Sequence, residues 1–145
     1  MLKLSKKVEY ALIAVMHMDA MGNADLTTAR EMSDQYSIPG ELLGKGRQLL
    51  ARARLIESVQ GSKGGYRLVQ PVEKIALGQI VEAVDGPVHL ATCHSDPACC
   101  EQYTSCNIKQ PVFEVQRQIV QYMYGLPLST FRKSVCAKPA LAGAR

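Results

Sequence analysis

The chain has 145 residues and a formal net charge of +4, with 47% hydrophobic and 21% charged residues. This composition excludes a disordered polypeptide, and the length fits one domain, or one domain with an appended arm. No stretch reaches the ~18 apolar residues that a membrane span requires, so we expect no membrane partner.

The N-terminal segment predicts a helix and not a signal peptide. Its lysines and apolar residues resemble a secretory leader, but Glu9 interrupts the basic end and no typical cleavage site follows. Ser5 can cap a first helix that extends to about Ala20, because the apolar residues behind it recur at helical spacing. That stripe consists of Val8, Ala11, Leu12, Val15 and Met18 or Asp19.

The next segment predicts a helix-turn-helix. Thr28 followed by Glu31 fits a capping box that opens a short second helix to about Tyr36. Pro39 suits the first turn of a third helix that ends at Arg52 or Ala53. Two helices joined by so short a turn are typical of this DNA-binding motif.

A β-hairpin is expected directly after the third helix. Residues 55–59 and 66–69 read as short strands, and the glycine-rich segment Gln60–Gly65 joins them. No helix start follows these glycines, so a phosphate-binding loop is excluded. With no paired-carboxylate or cysteine–histidine catalytic motif either, we expect a protein that is not an enzyme.

Positive charge is concentrated in the same region. From Lys45 to Arg67 there are six basic residues against one acid, Glu57, a net +5, so the remainder is close to neutral. A hairpin after a helix-turn-helix is a wing. The fold class predicted is therefore mainly α with a small β-hairpin wing, and double-stranded operator DNA is the expected partner.

Four of the five cysteines fall in one loop at about residues 91–106, after a predicted helix at 75–84. Thiols roughly six residues apart on a loop can converge on one metal centre, with Cys93, Cys99 and Cys106 as the ligands. Cys100 is an alternative to Cys99. An iron–sulfur cluster (2Fe–2S or 4Fe–4S), a structural zinc site and redox-active thiols all remain open. We expect a reducing cytoplasm, where clustered cysteines are more often metal ligands than disulfides.

A long helix capped by Asn107 is expected after the loop, with an apolar seam that has no partner left in the chain. The seam is Val112, Val115 or Gln116, Ile119 and Met123. We therefore expect a homodimer. The predicted organisation is a winged helix-turn-helix domain (1–72), a connecting helix with the cysteine loop (73–107), a dimerisation helix with a short turn (108–133) and a flexible tail (134–145).

This order of elements resembles the bacterial winged-helix transcriptional regulator family that contains IscR, NsrR, RirA and CymR. The resemblance covers about residues 1–132. It rests on residues 4–11 (LSKKVEYA), on the wing at 61–66 (GSKGGY), on 83–86 (AVDG) and on the cysteine loop. Members are homodimeric regulators, and several hold an iron–sulfur cluster on the equivalent loop.

The resemblance also implies roles for single residues. IscR-like members have a ligating histidine where this chain has Lys109, whereas NsrR-like members use a carboxylate of the other subunit, here Glu9. Glu41 and Lys45 would face base edges in the major groove. The phosphate contacts would come from Arg47, Arg52, Arg54 and Lys63. Gln60 stands where the wing often carries arginine, which implies weaker minor-groove contact.

Overall fold

The computed structural model describes residues 2–22 and 25–134. Its helices are α1 (Lys6–Met21), α2 (Ala29–Tyr36), α3 (Gly40–Arg52), α4 (Leu77–Asp85) and α5 (Lys109–Gly125), and its strands are β1 (Ile56–Val59) and β2 (Gly65–Leu68). Short 3-10 turns lie at Val72–Lys74, Thr92–His94, Pro97–Cys99 and Leu128–Ser134. The predicted fold class, mainly helical with one hairpin, is confirmed. Residues 135–145 of the predicted tail, including Cys136, lie outside the described residues.

The caps predicted for the first two helices are present. The Ser5 hydroxyl accepts a hydrogen bond from the Val8 amide (3.2 Å), and the Thr28 hydroxyl accepts one from the Glu31 amide (3.2 Å). Each satisfies an amide that the first helical turn leaves without a partner. These local contacts fix where α1 and α2 begin.

One hydrophobic core joins the helices α1, α2, α3 and α4. Val8 and Val15 of α1, Leu43 and Leu50 of α3 and Ile80 of α4 belong to one buried cluster. Because burial of one such side chain contributes about 1.5–3 kcal/mol, this cluster holds α3 firmly on α1. The rest of α3 is thereby turned toward solvent.

The hairpin is antiparallel, and one residue that lies outside it adds a further backbone pairing. Ile56 pairs with Leu68 and Val59 with Gly65, and Thr27 forms an isolated bridge with Tyr66. A Cβ on Gly65 would lie 2.9 Å from the Thr27 carbonyl oxygen, so only glycine allows this approach. The start of β2 is thus fixed to the segment that precedes α2.

The segment that follows α5 is anchored near the start of α4 and at the end of α1. The Leu77 amide donates to the Leu126 carbonyl (2.9 Å), and the Leu128 amide donates to the Ile75 carbonyl (2.8 Å). The guanidinium of Arg132 makes a two-pronged contact with the Asp19 carboxylate at the end of α1. These contacts connect α5 mechanically to the helices that carry the wing.

Two details of the sequence prediction for α5 were wrong. The helix begins at Lys109 with Ile108 at its N-cap and no side-chain cap, because Asn107 lies one residue too early. The predicted seam is also split. Met123 packs on the chain's own core, and the Gln116 side chain accepts a hydrogen bond from the Leu90 amide (3.0 Å). Val115 and Tyr122 remain exposed, as does Ile108 at the N-cap.

No helix within residues 2–22 and 25–134 is long and apolar enough to cross a membrane.

Candidate DNA-contacting surface and cysteine cavity

The outward face of α3 is polar and basic. Glu41, Lys45 and Arg52 are exposed and follow one another at four and seven residues, so they share one side of the helix. Leu43 and Leu50 occupy the opposite, buried side. An exposed helix face of this kind has the shape and charge that major-groove binding requires.

The C-terminal end of α3 and the hairpin extend this surface. Arg54, Gln60 and Lys63 are all exposed. Arg67, by contrast, makes a cross-strand ion pair with Glu57 (2.6 Å), so its charge is already compensated within the hairpin. The basic residues that face solvent here with no ion-pair partner in the described part of the chain are Lys45, Arg52, Arg54 and Lys63.

Arg47 is placed differently from the other predicted contacts. Its guanidinium carbon lies 4.3 Å from the centroid of the Tyr66 ring in the wing, and the side chain is half-buried. The sequence contained a signal for this orientation, since Arg47 lies four residues after Leu43 and three before Leu50. A residue at those spacings shares the buried face of the helix.

Three of the four loop cysteines line one cavity. Cys93, Cys100 and Cys106 surround an open space of about 470 Å³ whose wall includes Ile108 and Val112. All three are free thiols and are half-buried. The cavity lies where the cysteine loop meets the start of α5.

Cys99 does not line this cavity. It is exposed, and its thiol donates to the Asp96 carbonyl (2.9 Å) within the same short turn. Cys99 ends the 3-10 turn Pro97–Cys99, whereas Cys100 follows it with an extended backbone, and one of the two lines the cavity. In the structure that residue is Cys100.

The donor set matches a soft metal, because thiolate sulfur is the ligand that iron–sulfur clusters and zinc favour. Within residues 2–22 and 25–134, however, no group of three or more histidine, cysteine, aspartate or glutamate side chains is gathered closely enough to hold a metal ion. The three thiols thus share a cavity without meeting at one point. The residues fit a metal centre in chemistry and location, and the loop must tighten to bind one.

Lys109 takes part in the loop's own packing. Its ammonium group donates to the Tyr103 carbonyl (3.0 Å) and lies 4.1 Å from the centroid of the Tyr103 ring. A charged ammonium group engaged in this way has no lone pair to offer a metal ion. His94, next to Cys93, packs on Phe113 of α5 with ring centroids 4.1 Å apart and does not line the cavity.

Glu9 lies in the first turn of α1 and makes an ion pair with Lys6 (2.5 Å). Its side chain is 42% exposed, so another subunit could reach the carboxylate. Because Lys6 is itself 74% exposed, this pair contributes little to stability and is readily exchanged.

Comparisons with known proteins agree with this architecture. A family model described as Rrf2, an iron-dependent transcriptional regulator, matches residues 4–133. The fold is similar to that of CymR, the global cysteine regulator of B. subtilis, with 19% identity, a TM-score of 0.71 and coverage of 92% of this chain and 98% of that chain. It is also similar to T. potens IscR, with 19% identity, a TM-score of 0.70 and coverage of 99% and 94%. The oxidised form of S. aureus CymR matches with 23% identity, a TM-score of 0.66 and coverage of 88% and 93%.

Proposed function

The chain belongs to the Rrf2 family of iron-dependent transcriptional regulators, and on that premise we propose that it binds operator DNA as a homodimer whose cysteine loop holds an iron–sulfur cluster. It is a DNA-binding regulator and not an enzyme. The cluster proposal rests on one observation above all, the three free thiols of Cys93, Cys100 and Cys106 around a single cavity.

The outward face of α3 would enter the major groove, with Glu41 and Lys45 toward the base edges. Arg52, Arg54 and Lys63 would contact phosphates on either side of that groove, because all three are exposed. The two kinds of contact have different signatures. Lys45→Ala should alter the preferred base sequence, whereas Arg52→Ala should weaken binding to all sequences alike and reduce its salt dependence. Both effects can be measured with a randomised DNA pool.

The partner for α5 would be α5 of a second copy. Ile108, Val115 and Tyr122 recur every seven residues and are 59%, 49% and 70% exposed, with Val112 and Ile119 between them. Alternating spacings of four and three residues form the seam of a helix pair. Large apolar side chains at this spacing and exposure are typical of a surface that another subunit covers.

Sedimentation of a matched pair of variants tests this interface. Val115→Glu places a charge on the seam and should yield monomers, because a charge buried without a partner is strongly unfavourable. Gln110→Glu adds the same charge at an exposed position off the seam and should leave the dimer intact. Dimers of Val115→Glu at low micromolar concentration would refute the seam.

Cys93, Cys100 and Cys106 would supply three thiolates, and Glu9 of the partner subunit the fourth ligand. The sequence left Cys99 and Cys100 both open, and the cavity favours Cys100. When bound, such a cluster supplies a labile iron site that oxygen, nitric oxide or iron shortage can disrupt. A carboxylate is the most exchangeable member of this ligand set, since it is harder than the three thiolates.

A continuous set of contacts within the chain connects the cysteine cavity to the DNA-contacting surface. The start of α5 forms part of the cavity wall, and its end is hydrogen-bonded to α4 and, through Arg132, ion-paired to α1. A loop tightened across the dimer would fix the angle between the two DNA-binding halves. The ligated and free states can then differ in operator affinity, which any regulatory ligand requires.

Anaerobic purification provides the test. We expect a brown protein with iron and acid-labile sulfide, and tighter operator binding in one of the two states. Cys100→Ser should lose the visible absorbance, and its neighbour Cys99→Ser should keep it. The same absorbance and iron content in both variants would refute the assignment of Cys100, and Glu9→Ala with an unchanged spectrum and cluster lifetime would refute the fourth ligand.

The second candidate is a winged-helix regulator with a structural zinc ion or a redox-active thiol pair at the same cavity. The observation that favours it is the spread of the three thiols, which are not gathered around one point. A colourless protein with one zinc per chain, or a dithiothreitol-reversible change in operator affinity without iron, would support it. Either result would refute the cluster. A reducing cytoplasm remains the proposed compartment for both candidates, because clustered cysteines are kept reduced there and can serve as ligands.

A further inference from the structure

Arg47 is the half-buried exception in the predicted DNA-contacting set. Glu41, Lys45, Arg52 and the other members are exposed, whereas the Nε atom of Arg47 is fully buried and has no hydrogen-bond partner among the described residues. An unpaired buried donor is unfavourable. No hydrogen bond of this Nε atom accounts for the position of the side chain, and the guanidinium carbon lies 4.3 Å from the centroid of the Tyr66 ring.

Tyr66 is fixed from two sides. In β2 it pairs with Ser58, and on its other edge its amide donates to the Thr27 carbonyl (2.9 Å) while its carbonyl accepts from the Thr27 amide (3.0 Å). Thr27 is fully buried. The backbone of Tyr66 is thus held on both edges close to the turn of the hairpin, and the Arg47 guanidinium lies over its ring.

The contact joins two elements that must meet DNA together. Arg47 lies in the middle of α3, and no hydrogen bond or ion pair within residues 2–22 and 25–134 links an α3 side chain to the hairpin. A flat guanidinium over an aromatic face interacts through its positive charge and its plane, and burial strengthens the contact. Lysine has the charge but not the plane.

We propose that Arg47 is a positioning residue that sets the angle between α3 and the wing, and that it does not bind a phosphate. The inference rests on the proposed function insofar as α3 and the wing together contact the operator. With Arg47 in place, the wing is held where its tip can reach the DNA that flanks the major-groove site. Without it, the hairpin keeps its fold and its core contacts through Ile56 and Leu68, and its angle to α3 is held less tightly.

Salt dependence separates positioning from phosphate binding. The probe is the duplex that the wild-type protein enriches from a randomised DNA pool. Arg52→Ala, the control, should lower the slope of log affinity against log salt by about 0.9 for each phosphate lost. Arg47→Ala should keep the wild-type slope and weaken binding between about twofold and about thirtyfold, the range that one cation–π contact can account for. Arg47→Lys should behave like Arg47→Ala.

Substitutions of Tyr66 should reproduce the effects of the Arg47 variants. Tyr66→Phe keeps the aromatic face and should match the wild type, whereas Tyr66→Leu should match Arg47→Ala. The double variant Arg47→Ala/Tyr66→Leu should be no weaker than either single variant, because both remove one contact. In hydroxyl-radical footprints, Arg47→Ala should lose protection at the flanks and keep it in the central grooves.

A second measurement needs no DNA. Hydrogen exchange of the amides in residues 56–59 and 65–68 of the free protein should speed up in Arg47→Ala and stay unchanged in Arg52→Ala. Unchanged exchange in Arg47→Ala would by itself overturn the positioning role. A reduced salt slope in Arg47→Ala that Arg47→Lys restores would overturn it in favour of a phosphate contact. If the wild type enriches no sequence, the proposed DNA contacts fail, and the exchange experiment still decides the role of Arg47.

Discussion

Arg54 occupies a backbone position that normally belongs to glycine, and its replacement by glycine should stabilise the protein. Its φ of 59° is left-handed, and it directly follows Ala53, the C-cap of α3. The Leu55 amide donates to the Leu50 carbonyl (3.0 Å) and the Arg54 amide to the Ala51 carbonyl (2.9 Å). These two bonds form a Schellman motif, in which glycine is the common residue at this place.

The size of the effect follows from two opposing terms. A side chain in the left-handed region is unfavourable by about 1–2 kcal/mol, and glycine removes that strain. Glycine also gains freedom in the unfolded chain, which offsets about 0.4–1 kcal/mol. We therefore expect Arg54→Gly to raise the free energy of unfolding by about 0.5–1 kcal/mol, or Tm by about 2–5 °C.

Arg52→Gly is the matched control, because it removes the same charge from the last turn of the helix itself. There glycine is unfavourable by up to about 1 kcal/mol, so the free energy of unfolding should fall. Thermal and urea unfolding, followed by circular dichroism at one fixed protein concentration, measures both variants. Both should also lose operator affinity, since each lacks one exposed cation. Equal destabilisation by the two substitutions would refute the strain assigned to Arg54.

Two further predictions concern helical glycines and one exposed carboxylate. Gly46→Ala should raise the free energy of unfolding by about 1 kcal/mol, because its Cβ would meet nothing within 4 Å. Gly78→Ala should lower the free energy of unfolding by about 1–3 kcal/mol, because its Cβ would lie 2.5 Å from the Tyr124 ring. Urea unfolding of both variants tests these opposite signs. The hydrogen bond from Arg117 lowers the pKa of Glu114 from 4.5 to about 2, so the stability from this pair is complete above pH 4.5 and is lost as the pH falls toward 2. Carboxyl-carbon NMR titration of Arg117→Gln should move the Glu114 pKa back toward 4.5, and an unmoved pKa would contradict this cause.

Signals within one turn or one hairpin predicted most of the fold. Ser5 and Thr28 cap their helices as expected, because a cap depends on residues three positions apart. The hairpin limits were predicted to within one residue, since closely spaced glycines restrict where strands can end. The order of helices, wing and cysteine loop was sufficient to identify the family that the comparison then showed.

Contacts between distant residues decided the rest. The sequence spacing favoured Cys99 over Cys100, but the path of the loop over the start of α5 turns Cys100 to the cavity. The sequence predicted Arg47 on the DNA surface, and only the tertiary structure shows the ring of Tyr66 beneath it, in a strand paired with both Ser58 and Thr27. The apolar residues of α5 do not by themselves show which face of the helix meets the chain's own core. That face depends on how α4 packs against α5. Periodicity gives each helix a stripe, and tertiary packing alone determines which side of that stripe is covered.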